Sequence, residues 1–310
     1  MALEINNESV RDLAILRIEN NLTNAYNATN GAIVADESIM KGDFISTIVF
    51  DAIGDASRRD PTSTAEMTAK SLSDTSKTNV KLYFADLVAY TYTELARAGA
   101  DDDEVTVNLG EAIGDGVTRW ILERTLISTV AAIGSTEALV HTTDTAGINI
   151  KDINKGFFKF GDKSEKIVTI VASSIVVADL VDGALDSTAD QISYGATYKS
   201  NIGTLGRALW QVDADALVDA GKNMVIGLVK GAVVISESEL IQIWMDDDIT
   251  KVNTKKNIKT EGAYTLDIKG FTYDQSQGIN PEDAVLGATA SWSLVGDRKN
   301  SAGVLIKEGA

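Results

Sequence analysis

The chain carries one histidine, His141, and no cysteine. A Ser-His-Asp relay needs a base held by a carboxylate beside a nucleophile, and only His141 could be that base. It sits in the polar run VHTTDTAG (140–147), where nothing in the spacing sets a nucleophile next to it, so a surface or loop histidine is expected. Transition-metal sites draw on imidazole and thiolate donors, which this composition scarcely supplies. Ser38-Ile39-Met40-Lys41 has the S-x-x-K spacing in which a lysine activates a serine, but the companion motifs are missing; Lys259-Thr260-Glu261 stands nearest to the required Lys-Thr-Gly. Gly110, Gly114 and Gly116 fall short of a dinucleotide fingerprint, because Arg119 occupies the third glycine's place and no strand precedes them. They read as close-packing or flexing positions. The acidic runs Asp101–Glu104 and Asp246–Asp248 could attract Ca²⁺ or Mg²⁺, yet consecutive acids do not converge on one ion without a special turn. They read as solvated loop ends. The sequence therefore predicts no enzyme, no cofactor and no metal.

Groups suited to recognition are easier to find. Arg58, Arg59, Asp60, Glu66 and Lys70 lie between two strand-like runs, GDFISTIVF (42–50) and NVKLYFAD (79–86). The intervening residues 51–78 hold no aromatic and few large apolar side chains. So long a loop is uncommon inside a compact domain and is usually functional. With a strand on each side it predicts an extended hairpin that must lie on something else, a neighbouring copy being the natural candidate. Arginine–carboxylate pairs give directional recognition where identical contacts form in register, so these five residues are the candidate inter-subunit contacts.

The flanking elements follow from periodicity. Ser9 can cap an amphipathic helix with Val10, Leu13, Ile18 and Leu22 on one face, followed by an Asn/Thr-rich stretch expected to be extended or turning. The stripe Phe84, Leu87, Val88, Tyr92, Leu95, Ala96 predicts a helix over 84–98, with Gly99 as its cap. A longer helix is expected from about Leu109 to Ile133. Beyond Asp152 strands and helices alternate: a strand at 166–172, a helix from Ser173 or Ser174 to Gly183, a short helix at 212–220, and strands at 224–229, 232–235, 240–245 and 264–274. The class is α+β.

At 310 residues the chain can bury a sizeable core. Its net charge is −17, from 28 basic and 45 acidic residues. Tight nucleic-acid binding depends on lysines and arginines neutralising phosphates, so this balance argues against it. It leaves room for a protein that encloses nucleic acid without gripping it. The N-terminus lacks the apolar core of a signal peptide, and no apolar run is long enough to span a bilayer.

Three segments, KGDFISTIVFDAIGDASRRD (41–60), KFGDKSEKI (159–167) and the tail KGFTYDQSQGINPEDAVLGATASWSLVGDRKNSAGVLI (269–306), resemble, in that order, the major capsid proteins of tailed bacteriophages. The resemblance implies the Hong Kong 97-type fold: an N-terminal arm (1–41), an extended hairpin loop (42–86), a peripheral domain with a spine helix (87–155 and 225–310) and an axial domain (156–224). It further implies an icosahedral head built of many copies of this chain, as pentamers and hexamers, enclosing double-stranded DNA without sequence-specific binding. Portal, scaffold and decoration proteins would be further partners, with no membrane involved. The location would be the virion, after assembly in the cytoplasm of a bacterial host. An encapsulin-like compartment shell or another repeated virion component is the alternative.

Overall fold

The computed structural model describes residues 7–36, 42–50, 74–91, 93–94, 102–144, 146–187, 206–250 and 252–309. In chain order the elements are α1 (Asn7–Ala28), β1 (Ile33–Asp36), β2 (Ile45–Phe50), β3 (Asp74–Thr91), α2 (Asp102–Gly134), β4 (Val140–Thr142), α3 (Ile150–Phe158), β5 (Ile167–Ala172) and α4 (Ser174–Ser187). They continue through β6 (Ala208–Gln211), β7 (Val218–Asp219), β8 (Lys222–Val229), β9 (Val233–Asp248), β10 (Lys255–Ile268), β11 (Phe271–Tyr273), α5 (Asp283–Leu286), β12 (Trp292–Leu294) and β13 (Gly303–Lys307).

Two large sheets carry the architecture. One has the order β1-β9-β10-β3-β2, and the other β4-β13-β8-β5-β6 with β7 paired to β8. β11 and β12 form a separate antiparallel pair. The second sheet joins β4 and β13 to β5 and β6, and β8 itself spans residues 222–229. A division at 155/156 and 224/225 therefore cuts through a single sheet. Strand β5 is buried along nearly its whole length, as its unbroken IVTIVA run dictates for a strand covered on both faces.

The spine helix α2 is 33 residues long, so it spans about 50 Å. It begins at Asp102, not near Leu109, so residues 102–104 of the acidic run belong to the helix and not to a solvated loop end. Its polar interior residues are satisfied within the helix. The hydroxyls of Thr118, Thr125, Ser128 and Thr129 each donate to the carbonyl four residues earlier, at 2.6–2.8 Å.

Several expectations change. The helix expected at 84–98 is strand through Thr91, because β3 pairs with β10 from Val80↔Leu266 to Thr91↔Lys255. Phe84 stacks on Tyr264 across that ladder (6.0 Å between centroids) and meets Trp120 of α2 at 5.5 Å. Long-range pairing has overridden a helical stripe. The Asn/Thr-rich stretch after Leu22 continues α1 to Ala28, since Leu22 and Ala25 stay buried there. Residues 212–220 hold a 3-10 turn (Asp215–Leu217) and β7 instead of a helix. The strands expected at 232–235 and 240–245 are one continuous β9, and β10 starts at Lys255, well before Tyr264. Asp246–Asp248 consequently lie in a strand, opposite Asn257, Lys256 and Lys255.

Candidate assembly surfaces

The first surface is the hairpin of β2 and β3, paired antiparallel from Ile45↔Asn79 to Phe50↔Asp74. Arg58, Arg59, Asp60, Glu66 and Lys70 lie beyond its far end, outside the described residues, as do Ser38–Lys41. What the structure shows is how the hairpin's root is held. Alternate strand residues point to one side, and on β3 that side carries Lys77, Asn79 and Lys81, all buried. Lys77 pairs with Asp267 of β10. Lys81 donates to Glu239 at 3.1 Å and lies 4.5 Å from the Tyr83 ring centre. Burial alone would lower the Lys81 pKa, but Tyr83 and Glu239 outweigh it and hold the ammonium above its usual range. The tail completes the clamp. Thr78 N–H donates to Thr272 Oγ1 (2.8 Å), Gln275 Nε2 to Thr78 Oγ1 (3.0 Å) and Tyr83 N–H to Asn280 Oδ1 (3.0 Å).

Nothing in the sequence reading singled out Lys77 or Lys81. Their signal was present: two lysines at i and i+4 fall on one side of a strand, and buried ammonium groups have to find partners.

The second surface is the seam between α1 and α2. A Cβ built on Gly110 would lie 2.7 Å from Leu13 Cβ, and one on Gly114 would lie 2.6 Å from Arg17 Cβ and 2.9 Å from the Ala14 carbonyl. These glycines let the two helices touch backbone to side chain, bearing out the close-packing reading. Gly116 faces open space. At the rim Arg17 grips Asp115 with two nitrogens (2.7 and 3.1 Å), and Asn21 adds a third donor at 2.8 Å. Those donors hold the Asp115 carboxyl below the ordinary carboxylate range. Both charged side chains are about half-exposed, so the pair fixes register more than it adds stability.

Beside this seam α1, β1, β9 and β10 form a half-open pocket of about 450 Å³ whose lining includes Glu19, Asp36, Glu237 and Tyr264. Burial pushes the Glu237 carboxyl up against the pull of the Ile241 N–H, and Glu19 raises it further.

The tail is packed as a closing unit. Trp292 is buried, donates Nε1–H to the Leu286 carbonyl at 2.9 Å, and meets Tyr273 edge-on at 5.4 Å. β13 runs between β8 and β4, and a Cβ on Gly303 would fall 1.9 Å from the Gly227 carbonyl oxygen. α2 touches both β12 and β13.

His141 sits on β4 with Nε2 3.8 Å from Asp152 Oδ1, too far for a hydrogen bond. Asp152 instead closes the capping box at the start of α3 with Asn149. Among the described residues no three His, Cys, Asp or Glu side chains are grouped to hold a metal. No described helix is long and apolar enough to cross a membrane.

The family model of the Gp13-like proteins, described as major capsid protein 13-like, matches residues 2–305. A search of curated proteins returns no match. Solved structures share the fold at low identity. That of Microbacterium phage Oxtober96 is 15% identical over 91% of this chain and 90% of its own, with a TM-score of 0.59. The capsid of Myoviridae phage XM1 is 13% identical over 77% and 86%, at 0.54. The acidic stable capsid of Helicobacter pylori bacteriophage KHP30 is 11% identical over 91% and 89%, at 0.53. These matches do not favour the encapsulin-like alternative. With almost its whole length covered by the family model, the chain belongs to the Gp13-like family of major capsid proteins and is a structural subunit of the tailed-phage capsid, present in many copies in the virion.

Proposed function

We propose that this subunit builds an icosahedral head by laying residues 51–73 of its hairpin over an adjacent copy, with Arg58, Arg59, Asp60, Glu66 and Lys70 making ion pairs there. The observation that carries this is the root itself. A hairpin clamped by two buried lysines and three tail hydrogen bonds can transmit a contact at its far end to the body of the subunit. Residues 87–155 with 225–310 would form the peripheral region around the spine helix and 156–224 the axial region, the two sharing the second sheet. The head would enclose double-stranded DNA without sequence-specific contacts, consistent with the −17 charge. We further propose that the subunit acts without catalysis and assembles in the cytoplasm of a bacterial host, joined by portal, scaffold and decoration proteins.

Deletion of residues 52–72 spares the whole ladder from Asp74 onward. A folded chain that no longer forms closed shells in negative-stain images is expected. Normal shells from this deletion would remove the hairpin from the mechanism.

A further inference from the structure

The charge of this chain is unevenly distributed. Residues 151–166 carry five lysines (Lys151, Lys155, Lys159, Lys163 and Lys166) against three acids, in a protein of net charge −17. One of those acids, Asp152, is buried at the start of α3. On α3, Lys151, Lys155 and Phe158 recur at helical spacing on one face. The opposite face is fixed against β13, where a Cβ on Gly156 would lie 2.4 Å from Ile306. Lys163 and Lys166 are three apart in the following 3-10 turn (Gly161–Lys166) and so share a side. Lys299 bridges onto the same turn through Asp162 at 2.6 Å, bringing Arg298 with it. Lys151, Lys155, Lys159 and Lys166 are exposed, and Phe158, set among them, is 65% exposed.

We infer that this lysine-rich face, centred on Phe158, docks on an acidic surface of a second copy of the chain. The inference rests on the capsid role proposed above and names one contact through which it would be achieved. Identical subunits of charge −17 repel one another at close range. A shell of them needs places where positive meets negative, and outside residues 151–166 the chain carries 42 acidic residues (45 less 3) against 23 basic ones (28 less 5). The aromatic side chain decides between partners. An exposed phenylalanine ringed by cations is the composition of an interface centre with a polar rim, whereas a duplex offers phosphates to the lysines and must unstack its bases to take up an apolar ring. Lys155 has Asp144 at 3.5 Å and Asp152 at 3.6 Å, which draw its ammonium toward the start of α3.

The test uses the full chain and the particles it forms. Lysine acylation is compared between DNA-free particles and dissociated subunits, and particles assembled from mixed light and heavy-isotope chains are cross-linked with a carbodiimide. Lys151, Lys159 and Lys166 should lose most of their reactivity on assembly and yield links to carboxylates of the other isotope. A Lys155→Glu/Lys159→Glu variant and Phe158→Ser should each remain folded by circular dichroism yet lose particles. Undiminished reactivity in DNA-free particles would overturn the inference while leaving the capsid role intact. Protection that appears only in DNA-filled particles would assign the face to nucleic acid and overturn it equally. If the wild-type chain forms no closed shells, the capsid role fails and the inference fails with it.

Discussion

The hairpin root and the α1–α2 seam both attach a peripheral element to the body of the subunit, by opposite physical means. At the root, the buried ammonium groups of Lys77 and Lys81 are held by carboxylates. At the seam, the absence of side chains at Gly110 and Gly114 lets helix meet helix, with the charged pair Arg17–Asp115 at the rim. Removing an atom should therefore damage the root, and adding one should damage the seam. A folded protein can fix an element either by making a buried charge depend on its partner or by closing a gap so tightly that nothing more fits.

Five substitutions would break or sharpen this contrast. The largest effect is expected from Asp267→Ala, which strands the buried Lys77 ammonium. Removing one partner of a buried pair costs about 3–5 kcal/mol; with part of the Asp267 side chain exposed, a loss of roughly 2–4 kcal/mol is expected in denaturant unfolding. Hydrogen exchange at β2 should rise with it, and unchanged exchange there would show that Lys77 does not hold the root.

Next comes Gly114→Ala, which must push α1 away from the Ala14 carbonyl and Arg17. Overpacking of this kind costs about 1–3 kcal/mol. Its control is Gly116→Ala two residues along, where the new methyl meets nothing; there helix propensity alone should leave stability unchanged or raise it by up to about 1 kcal/mol. If the two variants unfold alike, the seam is not tightly closed.

Smaller, and readable only against pH, are two carboxylates beside α1. The Asp115 pKa is depressed by Arg17 and Asn21, so its contribution is present above the ordinary carboxylate range and lost as pH falls through the depressed value. Glu237 is raised by burial and Glu19, so its contribution is present at acid pH and lost as pH rises through the raised value. In melting profiles Asp115→Asn should flatten the acid limb, and Glu237→Gln the limb just above the ordinary carboxylate range. A profile unchanged in both variants would mean that neither group is linked to folding.

The α+β class, the strands at 42–50, 166–172 and 224–229, the long helix and the family resemblance were legible because each rests on local periodicity or on ordered local motifs. The close-packing role of Gly110 and Gly114 was legible in kind, though not which helix they receive. Residues 84–91 were misread for a physical reason. Phe84, Leu87 and Val88 suit a helical stripe, and only the ladder to β10 makes them strand. The same blindness hid the root, since Lys77 and Asp267 are far apart in the chain and a lysine inside a strand announces no partner.

By itself, then, the sequence determined the kind of protein: a large acidic chain poor in catalytic groups, with a long spine helix, an overlong hairpin and a tail of short closing strands. The tertiary structure decided which residues bear load between them. It set the buried lysines of the hairpin on carboxylates of the same sheet, drove the N-terminal helix into the glycines of the spine, and placed the final strand between β4 and β8 in the second sheet. Periodicity and composition follow from neighbours in sequence, whereas a buried charge or a missing Cβ acquires its meaning only from atoms that folding brings next to it.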